Sequence, residues 1–406
     1  MAQRSNRSSR KEQPRARILS YANERDLLSC GVDPASLPYL KPKLSHRNLL
    51  LENIKLYAAN ILKQSMLSIG GDAAVHRQVI SGRIDRSSCI LMGDLRHYRQ
   101  LIEKLRLQPG LESITETIEE QIFKDFGKLE LSLCGRRYRW DRLPVIMGIL
   151  NTTPDSFSDG GLFSDPEKAL DHALAMEEQG ADLIDIGGES SRPGAQSIDT
   201  AEEIGRVVPV IRKVAARARV PISIDTSKAA VARAAVDAGA CMINDISALS
   251  GDQDMLSTVR DTGAGVILMH MRGTPGTMQL NTDYRHIMNE IFAFLGEAVA
   301  QCLAAGIDPS SILIDPGIGF GKDLAGNLQI IKHIGEFRSL HKPVVLGHSR
   351  NSFIGALIDA PADQRQTGTD AVSAWSVIKG VHMVRVHDVR HTLEVREIMH
   401  AILESS

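Results

Sequence analysis

From Pro144 onward the chain repeats one pattern of hydrophobic and polar positions. Each repeat is a short apolar run that ends in polar residues, followed by an amphipathic segment. Continuous apolar strands are typical of a parallel sheet covered on both faces, and eight such units over about 260 residues match a β/α barrel. We therefore predict an α/β protein with a (β/α)8 TIM barrel, and a doubly wound open sheet is the alternative fold. The predicted strands are Val145–Asn151, Leu183–Gly188, Ile222–Thr226, Met242–Ser247, Val266–Met271, Ile312–Ile318, Val344–Ser349 and Met383–Asp388.

The chain before the barrel has a different pattern. Its start is basic and polar, then contains prolines, and shows little periodicity. Helical and strand patterns follow that start, without a set of residues that indicates catalysis. We predict three parts: a basic, flexible tail over 1–44, a small α/β module of unknown role over 45–127, and the barrel domain over 128–406.

Short elements are predicted within and after the module. Apolar residues at helical spacing from Leu50 to Ile61 predict a helix, and a strand over Cys89–Met92 comes next. Asp94 is a suitable N-cap for a second helix, and a third covers Leu111–Phe126. Period-two alternation on both sides of a Cys-Gly turn predicts a β-hairpin over Leu129–Trp140.

The composition limits the classes of partner and of binding site that the sequence supports. The chain has 406 residues, a formal net charge of -2 and 43% hydrophobic residues, so it gives no argument for a nucleic acid or a membrane as partner. The five cysteines form no C-x-x-C pair, which disfavours a structural zinc site or a disulfide framework. We find no apolar run long enough to span a bilayer and no secretory signal in the basic start. A cytoplasmic location is expected, with an organelle transit peptide as the alternative reading of that start.

Polar side chains follow every predicted barrel strand. In such barrels the carboxyl ends of the strands carry the active site, so these residues should meet at one mouth. Within this set, Arg192, Arg385 and His387, with helix N-termini and nearby glycines, would bind phosphate or another anion. The converging residues are Asp225, Asn244, Asp245, Asp315, Arg350, Arg385 and His387.

Two further subsites follow from residue type. Asn151, with Asp155 or Asp159 close by, offers the oxygen ligands that suit Mg²⁺, which usually keeps waters and takes other ligands from substrate phosphates. A carboxylate facing an amino-amide edge forms a forked pair of hydrogen bonds. The side chains suited to hold such a flat heterocycle are those of Asp225, Asn244 and Asp315.

The residue strings at and after the predicted strand ends together resemble dihydropteroate synthase, a transferase family of folate biosynthesis. They stand in the family's order and span nearly all of residues 128–406, and the hairpin before them is similar to the segment that closes the barrel bottom in this family. The tail and module resemble an N-terminal extension of some longer members. The matching strings are Met147–Gly161, Gly187–Gly194, Ile224–Thr226, Asn244–Ile246, Met269–Gly273, Asp315–Lys322, Ser349-Arg350 and Arg385–Val389.

The resemblance implies a reaction. The amine of para-aminobenzoate would replace pyrophosphate on 6-hydroxymethyl-7,8-dihydropterin pyrophosphate, giving 7,8-dihydropteroate. In the family the mechanism is dissociative, and Mg²⁺ is bound by the pyrophosphate. The resemblance also implies a homodimer formed through barrel helices.

The resemblance further implies a role for individual residues. Asn151 would touch the metal and the pyrophosphate, and two loops, Thr152–Gly161 and Glu189–Gly194, would fold over the substrates. Met269 and Phe320 would line the ring and the aminobenzoate. The implied catalytic residues are Asn151, Arg192, Arg350, Arg385 and His387. The implied substrate-binding residues are Asp155, Asp159, Ser191, Asp225, Asn244, Met269, Asp315, Gly319, Phe320 and Asn351.

Two positions depart from the family motif. Ser191 stands where the family has threonine, and it keeps the hydroxyl. Asn351 stands where the family has a lysine that donates to the pterin ring. A water, Lys322 or the module would have to supply that donor. The departure at Asn351 motivates one alternative function, a non-catalytic pterin-binding homologue, and the shared pterin site motivates another, a pterin-dependent methyltransferase.

Overall fold

The computed structural model describes residues 19, 22–124, 129–152, 165–190 and 197–405. The chain separates into two units, 1–125 and 126–406.

The first unit is built on a three-stranded antiparallel sheet in the order β1-β3-β2. The central strand β3 alternates buried and exposed side chains along its length. One face of this sheet is therefore buried under helices. The core combines that face with apolar helix residues such as Leu62, Met66, Tyr98 and Leu101. The strands are β1 (His46–Lys55), β2 (Asp72–Val75) and β3 (Arg86–Asp94), and the helices are α1 (Glu24–Ser29), α2 (Leu37–Leu40), α3 (Leu56–Ser68), α4 (Leu95–Leu105) and α5 (Glu112–Phe123).

The helix predicted from Leu50 to Ile61 is wrong in its first half. His46–Lys55 is strand β1, and helix α3 begins only at Leu56. The pairing with β3 shifts register between Leu51 and Ile54, where Asn53 has a φ of 55°. Across this bulge Leu51 and Ile54 both face the core. Leu50, which the helical spacing paired with Ile54, is 46% exposed. The start of α4 at Asp94 is confirmed, since the Asp94 carboxylate accepts a hydrogen bond from the backbone N–H of His97 at 3.0 Å.

The second unit confirms the predicted barrel. Eight parallel strands follow the order β11-β10-β9-β8-β7-β6-β13-β12. A bridge between Ile314 and Val344 joins the two edges of the sheet, which excludes the open-sheet alternative. The strands are β6 (Val145–Asn151), β7 (Leu183–Gly187), β8 (Ile222–Asp225), β9 (Met242–Asp245), β10 (Gly265–Met269), β11 (Ile312–Asp315), β12 (Val345–Leu346) and β13 (Met383–Val386).

The barrel helices cover the outside of the sheet. Their apolar faces pack against the outward side chains of the strands, in one continuous core with, for example, Ile146, Ile184 and Val266. Asp165 caps the first of these helices and Pro166 starts it. The helices are α6 (Pro166–Glu178), α7 (Thr200–Ala215), α8 (Ala229–Ala238), α9 (Met255–Thr262), α10 (Ile287–Ala304), α11 (Leu324–His333), α12 (Ser352–Ile358), α13 (Gln366–Lys379) and α14 (Val389–Glu404).

The predicted hairpin is confirmed and forms the floor of the barrel. Strands β4 (Leu129–Leu133) and β5 (Arg136–Trp140) pair in antiparallel register. The leucines of β4 are buried against side chains from the amino ends of the barrel strands. The backbone N–H of Cys134 also donates to the carbonyl of Gly263 at 2.9 Å. With this end filled, the barrel offers a site at the carboxyl ends of its strands.

Helix α10 corrects the expectation that no apolar run of the chain is long enough to span a bilayer. Within the described part of the chain, it is long and apolar enough to cross a membrane by length and composition alone. Its residues Ile291, Leu295 and Cys302 are fully buried in the barrel core. The packing therefore identifies α10 as a crossover helix of the barrel.

Candidate active site

The strand register brings predicted site residues side by side. Asn151 pairs with Gly187, Gly187 with Asp225, and Asp225 with Asn244, across four adjacent strands. Met269 is paired in the same way with Asp315. These positions all stand at or near the carboxyl end of their strands, so their side chains border one opening, as the sequence predicted.

Arg385 connects the two sides of this opening. Its Nε donates to Asp185 Oδ2 at 2.6 Å, and one terminal nitrogen donates to Asp225 Oδ2 at 2.7 Å. Asn244 Nδ2 also donates to Asp185 Oδ2 at 3.0 Å. Asp185 was not among the predicted site residues, because this carboxylate lies inside an apolar strand and not at a strand end. The signal that would have revealed it is an acid in the middle of a buried run.

Burial changes the acid strength of two site carboxyls. It raises the pKa of Asp225 to about 7, although the nearby Arg385 charge opposes the change. Burial also raises the pKa of Asp315 to about 6, against the hydrogen bond from the Gly317 N–H and the charge of Lys322. Buried carboxyls with perturbed pKa values are typical of functional sites.

Side chains fix the loop that follows Asp315. The Asp315 carboxylate accepts from the Gly317 N–H at 2.7 Å. Gly317 has a φ of 69°, and a Cβ there would lie 2.0 Å from the carbonyl oxygen of His270, so this position requires glycine. Further along, the Gly319 N–H donates to Asn327 Oδ1 at 2.8 Å. The half-buried Phe320 is therefore carried by a loop whose path is determined.

Lys322 stabilises this loop from inside. It is 3% exposed, and its Nζ lies 2.7 Å from the Gly317 carbonyl oxygen, 2.8 Å from that of Phe320 and 3.0 Å from His270 Nδ1. Burial lowers the Lys322 pKa to about 7. These contacts occupy the donors of the ammonium group, so the suggestion that Lys322 replaces the missing donor at position 351 is wrong.

Asn351 is engaged in local structure. It is the N-cap of α12, where its Oδ1 accepts from the Phe353 N–H at 3.3 Å, and its Nδ2 donates to the Ile318 carbonyl at 3.2 Å. A Cβ on Gly319 would lie 2.7 Å from Asn351 Nδ2. The asparagine thus ties helix α12 to the loop after β11.

Arg350 and His387 lie at the ends of the last two barrel strands. Arg350 has a φ of 54°, and among the described residues its Nε has no hydrogen-bond partner. The Ser349 hydroxyl lies 3.0 Å from His387 Nδ1 and 3.2 Å from the His387 backbone N–H. Ser349 therefore orients the imidazole ring.

Asp245 does not belong to the site. Its carboxylate accepts from the backbone N–H groups of Ser247 and Leu249, each at 2.8 Å. It caps the turn after β9, because successive strand residues face opposite sides of the sheet and its neighbour Asn244 faces the barrel interior.

The predicted residues Asp155, Asp159, Ser191 and Arg192 lie outside the described residues. The chain on both sides of 191–196 is held by Lys228. Its Nζ lies 2.6 Å from Glu189 Oε2, 2.8 Å from the Ile198 carbonyl oxygen and 2.7 Å from the buried Glu203. One ammonium group therefore binds both flanks of that segment.

Asn151 suits the metal role that its sequence position implies. Its side chain makes no hydrogen bond to another described residue, and its Oδ1 would lie 3.7 Å from a Cβ placed on Gly187. The described residues contain no group of three or more His, Cys, Asp or Glu able to hold a metal. A single amide oxygen fits an Mg²⁺ whose other ligands are substrate oxygens and waters.

Comparison with known proteins gives a consistent result. A family model described as a pterin binding enzyme matches residues 147–387. A dihydropteroate synthase of Escherichia coli is 42% identical over 262 residues, which is 64% of this chain and 93% of that protein. The solved structure of a Xanthomonas albilineans dihydropteroate synthase with 4-aminobenzoic acid is 42% identical, with a TM-score of 0.64 over 69% of this chain and 100% of that one.

A longer relative extends beyond the barrel. A probable bifunctional folylpolyglutamate synthase/dihydropteroate synthase of Haloferax volcanii is 37% identical over 342 residues, 82% of this chain and 40% of that protein. A match of that length is longer than the second unit, 126–406. It therefore includes part of the first unit.

Proposed function

This chain belongs to the dihydropteroate synthases within the pterin-binding enzyme family, and we propose that its barrel joins para-aminobenzoate to 6-hydroxymethyl-7,8-dihydropterin pyrophosphate. The products are 7,8-dihydropteroate and pyrophosphate. The observation that carries the assignment of roles is the convergence of Asp225, Asn244, Asp315 and Arg385 at one barrel mouth.

The residues at this mouth divide into two groups by chemistry. Asp225, Asn244 and Asp315 hold the pterin ring by its donor and acceptor edge, and the two carboxylates favour positive charge on the ring as the pyrophosphate leaves. Arg385 and His387 present donors to the negative charge that develops on the leaving group. The amine then adds to the exocyclic carbon and loses a proton.

We propose that Asn151 contributes to holding Mg²⁺ together with the pyrophosphate. The bound metal would supply Lewis-acid stabilisation of the leaving group. The protein side chains orient the pterin ring and exclude water from it.

The function is tested by incubating the full-length protein with both substrates and Mg²⁺ while dihydropteroate and pyrophosphate are measured together. We expect both products in equal amounts, and a loss of turnover with EDTA that Mg²⁺ restores. Tight pterin binding without either product would instead identify a non-catalytic homologue. Methyl transfer from a folate to a corrinoid would identify the methyltransferase alternative, although the relatives are named as dihydropteroate synthases.

We predict that Asn351→Lys increases affinity for the pterin substrate at a cost in stability. The lysine adds the charged donor found in the family motif, so KM for the pterin pyrophosphate should fall about tenfold, as expected for a hydrogen bond to a charged group. Loss of the asparagine cap should destabilise the protein by about 1 kcal/mol. Steady-state kinetics and thermal melting measure the two effects.

Asn351→Ser is the matched control for this prediction, because serine keeps an N-cap and adds no charged donor. It loses the Nδ2 contact with the Ile318 carbonyl, as the lysine variant does, so it should melt between the parent and Asn351→Lys without lowering KM. A lysine variant with a higher KM than the parent would show that position 351 does not face the ring.

We propose that the protein forms a homodimer through its last barrel helices. Large exposed apolar residues stand on adjacent helices there, and Ile398 and Ile402 share one face of α14 at i,i+4 spacing. Ile378 of the neighbouring helix α13 is also 48% exposed. Exposed apolar clusters of this kind mark protein interfaces. Light scattering should give twice the chain mass for the parent and a monomer for Ile398→Glu/Ile402→Glu.

A cytoplasmic location also belongs to this proposal. All five cysteines are free, and burial raises the pKa values of Cys89, Cys241 and Cys302 to about 11. Unpaired thiols suit a reducing compartment.

A further inference from the structure

Asp185 is a buried carboxylate beneath the candidate active site. It lies in the middle of β7 and is 0% exposed. One of its oxygens, Oδ2, accepts both from Asn244 Nδ2 of β9 and from Arg385 Nε of β13. Those strands stand on opposite sides of β7 in the sheet. A single oxygen atom therefore connects a ring-binding residue with a leaving-group residue.

The contact determines which way the Asn244 amide points. An amide side chain has one accepting and one donating end, and a carboxylate accepts only. Because Nδ2 faces Asp185 at 3.0 Å, Oδ1 must face the other way. Asn244 therefore presents an acceptor to a ligand in the barrel mouth.

The same carboxylate fixes the plane of Arg385. A guanidinium is planar, with its donors in a rigid fork. Asp185 engages Nε at 2.6 Å and Asp225 engages a terminal nitrogen at 2.7 Å. Two carboxylates on different strands leave the group no free rotation, so its remaining N–H groups have a set direction.

We propose that Asp185 is a positioning residue of this enzyme, which sets the donor and acceptor polarity of Asn244 and the orientation of Arg385 through one oxygen atom. The inference rests on the function proposed above for those two residues. An asparagine at 185 would be nearly isosteric, but it could turn either end toward Asn244 and would carry no charge for Arg385. Partners that orient the ligands of a metal in this way typically contribute about 10–100-fold, and we expect an effect of the same order for Asp185.

The test is Asp185→Asn in the full-length protein. We expect kcat/KM for the pterin pyrophosphate to fall about 10–100-fold, with KM for para-aminobenzoate within about twofold of the parent. The matched control is Asp182→Asn, three residues earlier on the same segment. Asp182 accepts from Arg396 and from the Ile146 N–H, both at 2.9 Å, at the amino ends of the strands. Its loss should lower the melting temperature and leave the kinetics unchanged.

A charge-preserving exchange separates orientation from simple stability. In Asp185→Asn/Asn244→Asp, the amide at 185 donates to the new carboxylate at 244, which still offers an acceptor to the ligand. We expect this double variant to bind 6-hydroxymethylpterin at least about tenfold more tightly than Asp185→Asn does. Fluorescence titration measures both affinities.

The outcomes distinguish this inference from the proposed function. If Asp185→Asn behaves as Asp182→Asn does, or if the exchange recovers nothing, Asp185 does not position these groups. If the parent makes no dihydropteroate, the proposed function fails, and the pterin titration still decides the role of Asp185.

Discussion

Replacing Arg385 with methionine should lower kcat/KM by about three orders of magnitude. Loss of one donor to developing negative charge costs about 10²–10³ in rate, and this side chain also orients the site. Its removal leaves the buried Asp185 carboxylate and the partly buried Asp225 carboxylate without the cation that both contact. Breaking a buried ion pair in this way costs about 3–5 kcal/mol, so the melting temperature should fall as well.

Arg385→Lys is the matched control for this prediction. Lysine keeps the charge but presents a point charge instead of a planar fork. It should retain most of the stability and lose most of the rate. A methionine variant that keeps more than a tenth of the parental kcat/KM would remove Arg385 from the catalytic residues. The test compares kcat/KM of the parent and both variants at temperatures where circular dichroism gives the same folded fraction.

Replacing Asp315 with asparagine should raise KM for the pterin pyrophosphate by about 10²–10³-fold. The neutral amide can no longer accept two hydrogen bonds from an amino-amide edge, and charge-assisted pairs of that kind are roughly twice as strong as neutral ones. KM for para-aminobenzoate should change little. Asp323→Asn is the matched control, because Asp323 caps α11 from the same loop and accepts from the Gly326 N–H at 2.7 Å.

The pH dependence of pterin binding provides a second measurement on Asp315. Its carboxylate has a pKa raised to about 6 by burial, and the ring needs the ionised form. Affinity should therefore fall as the pH drops through about 6, and this limb should vanish in Asp315→Asn. The limb that Asp225 contributes, with its pKa near 7, should remain. An unchanged profile in Asp315→Asn would contradict the assignment.

The apolar runs of the sequence predict much of this fold. Eight buried strands could be predicted because each is a continuous apolar run that ends in polar residues, and the hairpin because it alternates with period two on both sides of a Cys-Gly turn. The first unit was harder to predict, since Leu50 and Ile54 of β1 fall at helical spacing although they stand on either side of the bulge at Asn53. Such a bulge depends on the pairing of β1 with β3, which local periodicity does not encode.

The site was predicted in part for a similar reason. Strand ends identify Asp225, Asn244 and Asp315, because fold geometry alone brings those positions together. What each side chain does there depends on partners distant in sequence. Asn351 contacts the Ile318 carbonyl, 33 positions away. That contact has no signal in the local sequence.

The floor of the barrel has a consequence for how such chains are assembled. The hairpin Leu129–Trp140 supplies core side chains to the second unit, so the self-sufficient barrel begins with β4 and not with the first barrel strand. A gene fusion or deletion joined between 125 and 128 leaves that floor whole. The match to the Escherichia coli relative, over 262 residues, is about as long as that barrel, and the match to the Haloferax volcanii relative, over 342 residues, is longer.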